Sequence, residues 1–159
     1  MFGLFKKDYE LFAPVSGAIM DLSLVPDAVF SEKMAGDGIA INSTGDTFVA
    51  PADGNLTVLF KTNHAFAMTL KNGAEILIHI GIDTVELNGE GFERLATEGT
   101  DVKAGTPIIK INRKFIEDKG FSLITPLLIT NSDSVKEMTV TKQGLVEAGK
   151  DKVISYKVK

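Results

Sequence analysis

The 159-residue chain contains no cysteine, which excludes disulfides, thiolate zinc sites, iron–sulfur clusters and a catalytic thiol at the outset. It contains only two histidines, His64 and His79. Chemistry that needs a base titrating near neutrality, or an imidazole ligand, therefore falls to one or both of them. Positive charge is also scarce: 17 Lys and Arg stand against 21 Asp and Glu, for a net charge of -4. No basic field is left to hold a phosphate backbone, and nucleic-acid binding is excluded. Long apolar runs are missing too. No segment approaches the roughly 18–20 apolar residues of a membrane span, and the first residues lack a signal peptide's continuous apolar stretch and cleavage site. A cytoplasmic location is expected, in keeping with the absence of cysteine.

What is present suits one ordinary domain with its own core, since 44% of the side chains are hydrophobic and 24% charged. Residues 1–12 are expected to form an N-terminal segment and residues 13–159 a single domain, with no linker or low-complexity tract inside it. Met1, Phe2, Leu4 and Phe5 beside Lys6 and Lys7 can be read as a transient amphipathic contact with a membrane surface or as a frayed terminus tucked against the domain. Fifteen glycines and five prolines punctuate segments that are β-branched or alternate in polarity, the pattern of a β-sandwich or barrel. Short helical pieces are expected at Pro26–Ala35 and at Arg113–Lys119, the second between an Asn112 cap and a stop at Gly120. Two internal echoes point to duplicated strand–turn–strand units. Ala13-Pro14-Val15-Ser16-Gly17 recurs as Ala50-Pro51-Ala52-Asp53-Gly54, and Val102-Lys103-Ala104-Gly105 as Val146-Glu147-Ala148-Gly149.

The histidines sit in two β-like windows. Isoleucine occupies 76, 78, 80 and 82, so a strand over Glu75–Asp83 buries that face and turns Glu75, Leu77, His79, Gly81 and Asp83 the other way, toward solvent or a partner. Gly81 leaves room beside the imidazole for another backbone or a ligand. Leu56, Val58, Phe60, Thr62 and His64 share one parity if their strand runs through Thr62, which would let the Thr62 hydroxyl set the His64 tautomer. The ordinary reading of each histidine is a hydrogen-bonded structural residue. Asp83 fits both an imidazole orienter and the start of a turn, while Phe60, Leu77 and Val85 read as core by pattern alone.

The run HIGIDTVELNGEGF from His79 to Phe92, with TNHAF from Thr62 to Phe66 and GDGIAI from Gly36 to Ile41, closely resembles the glucose-type enzyme IIA of the bacterial sugar phosphotransferase system. The resemblance extends from about Ala13 to Val158. It implies an antiparallel β-sandwich and a phosphotransferase component acting through a phosphohistidine. Such a carrier accepts phosphate from the small histidine-containing phosphocarrier protein and passes it to a cysteine on the IIB domain of a sugar permease.

His79 matches the phosphorylated histidine, reacting through Nε2 while a backbone carbonyl near Gly81 holds Nδ1–H. His64 matches the second histidine, which contacts the phosphoryl group and serves onward transfer, and Thr62 matches the threonine that orients it. Val29, Phe30, Met34, Ala35, Phe60, Leu77 and Val85 match an apolar ring on which partners dock, which displaces the core reading of Phe60, Leu77 and Val85. No cofactor is required, and no G-x-x-x-x-G-K-S/T segment occurs to suggest ATP as donor. Zinc held by His64 and His79 at a partner interface, and regulation of other proteins by the unphosphorylated form, stay open.

Two rivals remain. One is a zinc-dependent β-sandwich hydrolase with His64, His79 and Asp83 as ligands, although no histidine is then left as a base. The other is a biotinyl or lipoyl carrier domain, which the AP-x-x-G turns fit. It needs a modified lysine in a Met-Lys-Met or Asp-Lys-Ala context, and neither occurs.

Overall fold

The computed structural model describes residues 7–159. Its first seven strands are β1 (Tyr9–Phe12), β2 (Gly17–Met20), β3 (Asp37–Ser43), β4 (Thr47–Val49), β5 (Gly54–Leu59), β6 (Ala65–Thr69) and β7 (Glu75–His79). The remainder are β8 (Phe92–Arg94), β9 (Asp101–Val102), β10 (Pro107–Ile111), β11 (Ile124–Ile129), β12 (Val135–Val140), β13 (Leu145–Val146) and β14 (Lys152–Val158). Among the described residues an eight-stranded sheet runs β13-β2-β3-β11-β7-β6-β5-β9, accompanied by two three-stranded sheets, β1-β14-β12 and β4-β10-β8. Every pairing is antiparallel. The main core lies under Ile76, Ile78 and Ile80 of the β7 region, with Phe48, Phe66, Ile108 and Tyr156, all at most 1% exposed.

The sequence echoes occupy equivalent places. Gly17 opens β2 and pairs with Val146 of β13, while Gly54 opens β5 and pairs with Val102 of β9. Gly149 N–H donates to the Ala13 carbonyl and Gly105 N–H to that of Ala50, each at 2.8 Å. The side chains follow suit: Ala148 N–H donates to Ser16 Oγ at 3.0 Å and Ala104 N–H to Asp53 Oδ1 at 2.8 Å. The repeated turns thus close both edges of the large sheet, with short strands that leave little edge to pair with another chain.

The expected helices are present in shorter form. Asp27 Oδ1 accepts from Val29 N–H and caps α1 (Ala28–Ser31), which follows a single 3-10 turn at Leu22–Leu24. Asn112 Oδ1 accepts from Phe115 N–H and caps α2 (Arg113–Asp118), with Gly120 just beyond in the left-handed region.

Three local expectations need correction. Tyr9–Phe12 is strand rather than separate segment: Tyr9 pairs with Tyr156, and Leu11 is fully buried in the main core. The membrane-contact reading of residues 1–6 lies outside the described residues. The second correction concerns β5, whose parity breaks at a bulge between Asn55 and Val58. One extra residue there puts Leu56 and Leu59 inside and leaves Val58 39% and Phe60 37% exposed.

The third concerns β7, which ends at His79 because Gly81 takes φ +83°. A Cβ on Gly81 would stand 2.7 Å from the Ser122 carbonyl oxygen and 2.6 Å from Thr84 Cγ2, so the missing side chain admits neighbouring protein, not a ligand. Beyond it, Ile82 leaves the main core for a second one with Leu22, Val25, Phe30, Ala40 and Leu128. That smaller core covers the face opposite the isoleucines, where Leu77 packs against it. His79 is half-buried at its margin instead of facing open solvent.

Candidate functional site

Register brings the histidines together. Ala65 of β6 lies opposite His79 of β7, so His64, one residue before β6, reaches the end of the same strand pair. Ile80 N–H donates to the His64 carbonyl at 2.7 Å and ties the two segments just past the strands. The imidazole centroids are 5.0 Å apart with planes at 81°. Phe30 packs against His79 at 4.9 Å, and Phe60 meets His64 edge-on at 5.5 Å.

Each ring has one nitrogen held. His79 Nδ1–H donates to the Gly81 carbonyl at 2.7 Å; since a carbonyl can only accept, neutral His79 carries its proton on Nδ1 and presents an Nε2 lone pair. His64 Nδ1 and Thr62 Oγ1 are 2.5 Å apart. Thr62 and His64 meet in the turn between β5 and β6, with Asn63 at φ +57° between them, and not along a continuing strand. On either side of Gly81 the backbone is hydrogen-bonded: Thr84 Oγ1 donates to the Ile80 carbonyl at 2.5 Å and Ile82 N–H to that of Ser122 at 3.0 Å. The carbonyl facing His79 is therefore held by packed, hydrogen-bonded chain on both sides.

Burial drives both imidazoles toward the neutral form. For His64, only 5% exposed, it is the largest cause of a pKa pushed down to about 4, and the neighbouring His79 adds to it. Burial also lowers the pKa of His79, opposed by the bond to Gly81 and by the charges of Asp27 and Asp83. Near pH 7 both rings are neutral, so His79 is nucleophilic. The unfolded chain, with ordinary histidines, binds more protons than the folded one between about pH 4 and pH 6.5. The contribution of His64 to stability is thus full above pH 6.5 and falls as the pH drops toward 4. Urea midpoints measured from pH 7.5 to 4.5 should decline accordingly, with a shallower decline in His64→Gln; equal slopes in the two proteins would contradict the burial of a neutral His64.

The structure sorts the other candidate residues. Asp83 is exposed, takes φ +60° and makes no side-chain cap; it starts the 3-10 turn Thr84–Leu87 and acts on His79 only through its charge. Among the described residues no group of three or more metal-binding side chains exists, so His64, His79 and Asp83 do not form the ligand set of a zinc hydrolase. Of the seven apolar ring residues, Val29 (45%), Met34 (71%), Phe60 and Val85 (47%) are exposed, and Ala35 and Leu77 are half-buried. Phe30 is 5% exposed and belongs beneath the rim as the support of His79, a correction to its expected place in the ring. Sequence reasoning missed Asp27, whose signal is the Pro-Asp pair ahead of a helix start. It also missed Ser122 and Arg94, for which no local signal exists.

An antiparallel β-sandwich that seats two neutral imidazoles edge to face, each with one nitrogen held and its rim apolar, fits the class of group-transfer proteins. The family model described as phosphoenolpyruvate-dependent sugar phosphotransferase system, EIIA 1, matches residues 9–135, and the chain belongs to that family. Its members are phosphoryl carriers in sugar uptake. The glucose-specific EIIA component of Haemophilus influenzae is 46% identical over 94% of this chain and 90% of its own. The N-acetylglucosamine-specific EIICBA component of Klebsiella pneumoniae is 44% identical over 94% of this chain, which corresponds to 23% of that longer protein. The solved glucose permease IIA of Mycoplasma capricolum superposes with a TM-score of 0.89 at 40% identity, over 96% of this chain and 97% of the other.

Proposed function

We propose that this chain carries the phosphoryl group on Nε2 of His79, taking it from the histidine-containing phosphocarrier protein and giving it to a cysteine of a permease IIB domain, in the cytoplasm. The observation that carries the reading is the bond from His79 Nδ1–H to the Gly81 carbonyl, which leaves Nε2 as the free nucleophile beside a second imidazole. The Nε2 lone pair attacks phosphorus, the donor's N–P bond breaks, and its electron pair returns to the donor imidazole. The His79 ring becomes an imidazolium bearing the phosphoryl group, and its Nδ1–H stays hydrogen-bonded to the Gly81 carbonyl. The carboxylates of Asp27 and Asp83, which already favour a charged His79, stabilise that form. Onward transfer reverses the step: a thiolate attacks phosphorus and the N–P pair returns to Nε2, with no net proton movement at His79.

His64 assists as a donor. With the Thr62 hydroxyl donating to Nδ1, the proton of neutral His64 lies on Nε2, aimed at phosphoryl oxygens. A ring that stays neutral to well below pH 6 keeps this tautomer through the working range. No metal or nucleotide enters the route. The Klebsiella relative, whose name joins A, B and C components in one protein, supports a IIB acceptor.

Phosphoenolpyruvate, enzyme I and the phosphocarrier should place acid-labile, base-stable phosphate on the chain; a chain that stays unlabelled would defeat the reading. The exposed apolar rim excludes water from the labile bond and serves two partners with the same non-directional contacts. Phe60→Lys or Val85→Lys should slow both acceptance and onward transfer by about tenfold, from a loss of roughly 1.4 kcal/mol at each docking step. Loss of the fold, or unchanged rates in both directions, would count against a docking role.

A further inference from the structure

The turn that carries Phe60, Thr62 and His64 projects past the point where β5 has a strand neighbour. Pairing with β9 ends at Asn55, so the outer backbone groups of β5 beyond it need other partners. The segment after β8 supplies them. Leu56 N–H donates to the Thr100 carbonyl at 2.8 Å, and the Leu56 carbonyl accepts from Gly99 N–H at 2.7 Å. Further along, two charged side chains take over. Glu98 Oε2 accepts from Leu59 N–H at 2.7 Å. Arg94 Nη2 donates to the carbonyls of Leu59 at 3.3 Å and Phe60 at 3.2 Å, while its Nε donates to Asn63 Oδ1 at 2.5 Å.

Among the described residues neither Arg94 nor Glu98 forms an ion pair. Their hydrogen-bonding capacity goes to the β5 end and its turn. A single guanidinium spans Leu59, Phe60 and Asn63, and Asn63 is the left-handed residue between Thr62 and His64. A lysine could reach only part of this set, because an ammonium lacks the planar fork. The contact positions the side chains that precede and follow Asn63, namely Thr62 and the second imidazole that it holds.

We infer that Arg94 and Glu98 are positioning residues for His64, a side-chain clamp that holds the β5–β6 turn in the conformation needed for phosphoryl transfer. The transfer part of this inference rests on the proposed relay; the effect on His64 does not. In Arg94→Ala the turn relaxes, the Thr62–His64 bond loosens and the imidazole gains water. The 15N signals of the His64 ring should shift from a single held tautomer toward averaged values, with its titration midpoint rising toward 6.5.

Onward transfer to a IIB domain should fall about tenfold, within the roughly hundredfold that a misplacement of about 1 Å can cost, while acceptance at His79 changes little. Arg94→Lys should be intermediate and Glu98→Ala should shift His64 in the same direction, whereas Glu98→Gln, which keeps an acceptor oxygen, should resemble the parent. If Arg94→Ala does not fold, Arg94→Lys and Glu98→Ala carry the same two readouts. Unmoved His64 signals in these folded variants would overturn the clamp. So would an equal loss of acceptance and onward transfer with His64 still held. Absence of phosphate on the parent chain would instead overturn the relay, leaving the clamp to be judged by the ring signals.

Discussion

His79→Ala is expected to lose phosphate acceptance altogether, a fall of more than about 10³-fold in labelling rate with phosphoenolpyruvate, enzyme I and the phosphocarrier. The size follows from the bond being made. In the proposed relay Nε2 supplies the electron pair for the N–P bond, and the neighbouring imidazole cannot replace it in the same geometry. His64 Nδ1 is engaged with Thr62, and in the tautomer proposed above its Nε2 carries the proton instead of a free lone pair. The fold should survive, because His79 is half-buried at the margin of the smaller core and contributes no strand partner beyond its backbone pairing with Ala65. Labelling of the alanine variant at an appreciable rate would remove His79 from the nucleophile's role.

His64→Gln is expected to separate the two halves of the relay. Glutamine retains an N–H donor but on a flexible amide without the hold of Thr62, so acceptance at His79 should stay within a few-fold of the parent. Onward transfer should drop by about 10²–10³-fold, the usual loss when a donor aimed at developing charge is removed. The asymmetry follows from the proposed division of labour, in which His79 makes the N–P bond and His64 serves onward transfer. Single-turnover rates in each direction separate the steps; a IIB domain phosphorylated at the parent rate would show that His64 serves only the packing of Phe60 and His79.

Much of the site is legible in the amino-acid sequence, and the reasons are local. The isoleucines at 76, 78 and 80 bury one face of a strand and leave His79 on the other, a consequence of two-residue periodicity alone. The repeated Pro-to-Gly segments are recognisable as turns because their residue types set backbone geometry within five positions, and they sit at the two closing edges of the large sheet.

Features that depend on residues far apart in the chain leave no such local mark. Residues 9–12 read as a separate segment because their partner strand begins 140 residues later, at Lys152. The bulge that reverses the parity of β5 is stabilised from Gly99 and Thr100, and nothing within Gly54–Leu59 announces it. Phe60 consequently changes face, from a pattern-based core position to the rim over His64. The covering of the His79 face by residues 22–35 is equally absent from the local pattern, and only the family resemblance brings Val29, Phe30, Met34 and Ala35 to the site, since the cover needs Phe30, Leu77, Ile82 and Leu128 to meet from four parts of the chain. That cover half-buries His79 and contributes to its lowered pKa.

The proposed chemistry converges on one atom, and nuclear magnetic resonance of the phosphorylated chain labelled with 15N in its imidazoles tests it directly. Phosphorus–nitrogen coupling should appear at Nε2 of His79 and at no other nitrogen, with Nδ1–H still hydrogen-bonded to the Gly81 carbonyl. Coupling at Nδ1 of His79, or at either nitrogen of His64, would contradict the assignment of donor, acceptor and assistant within the pair.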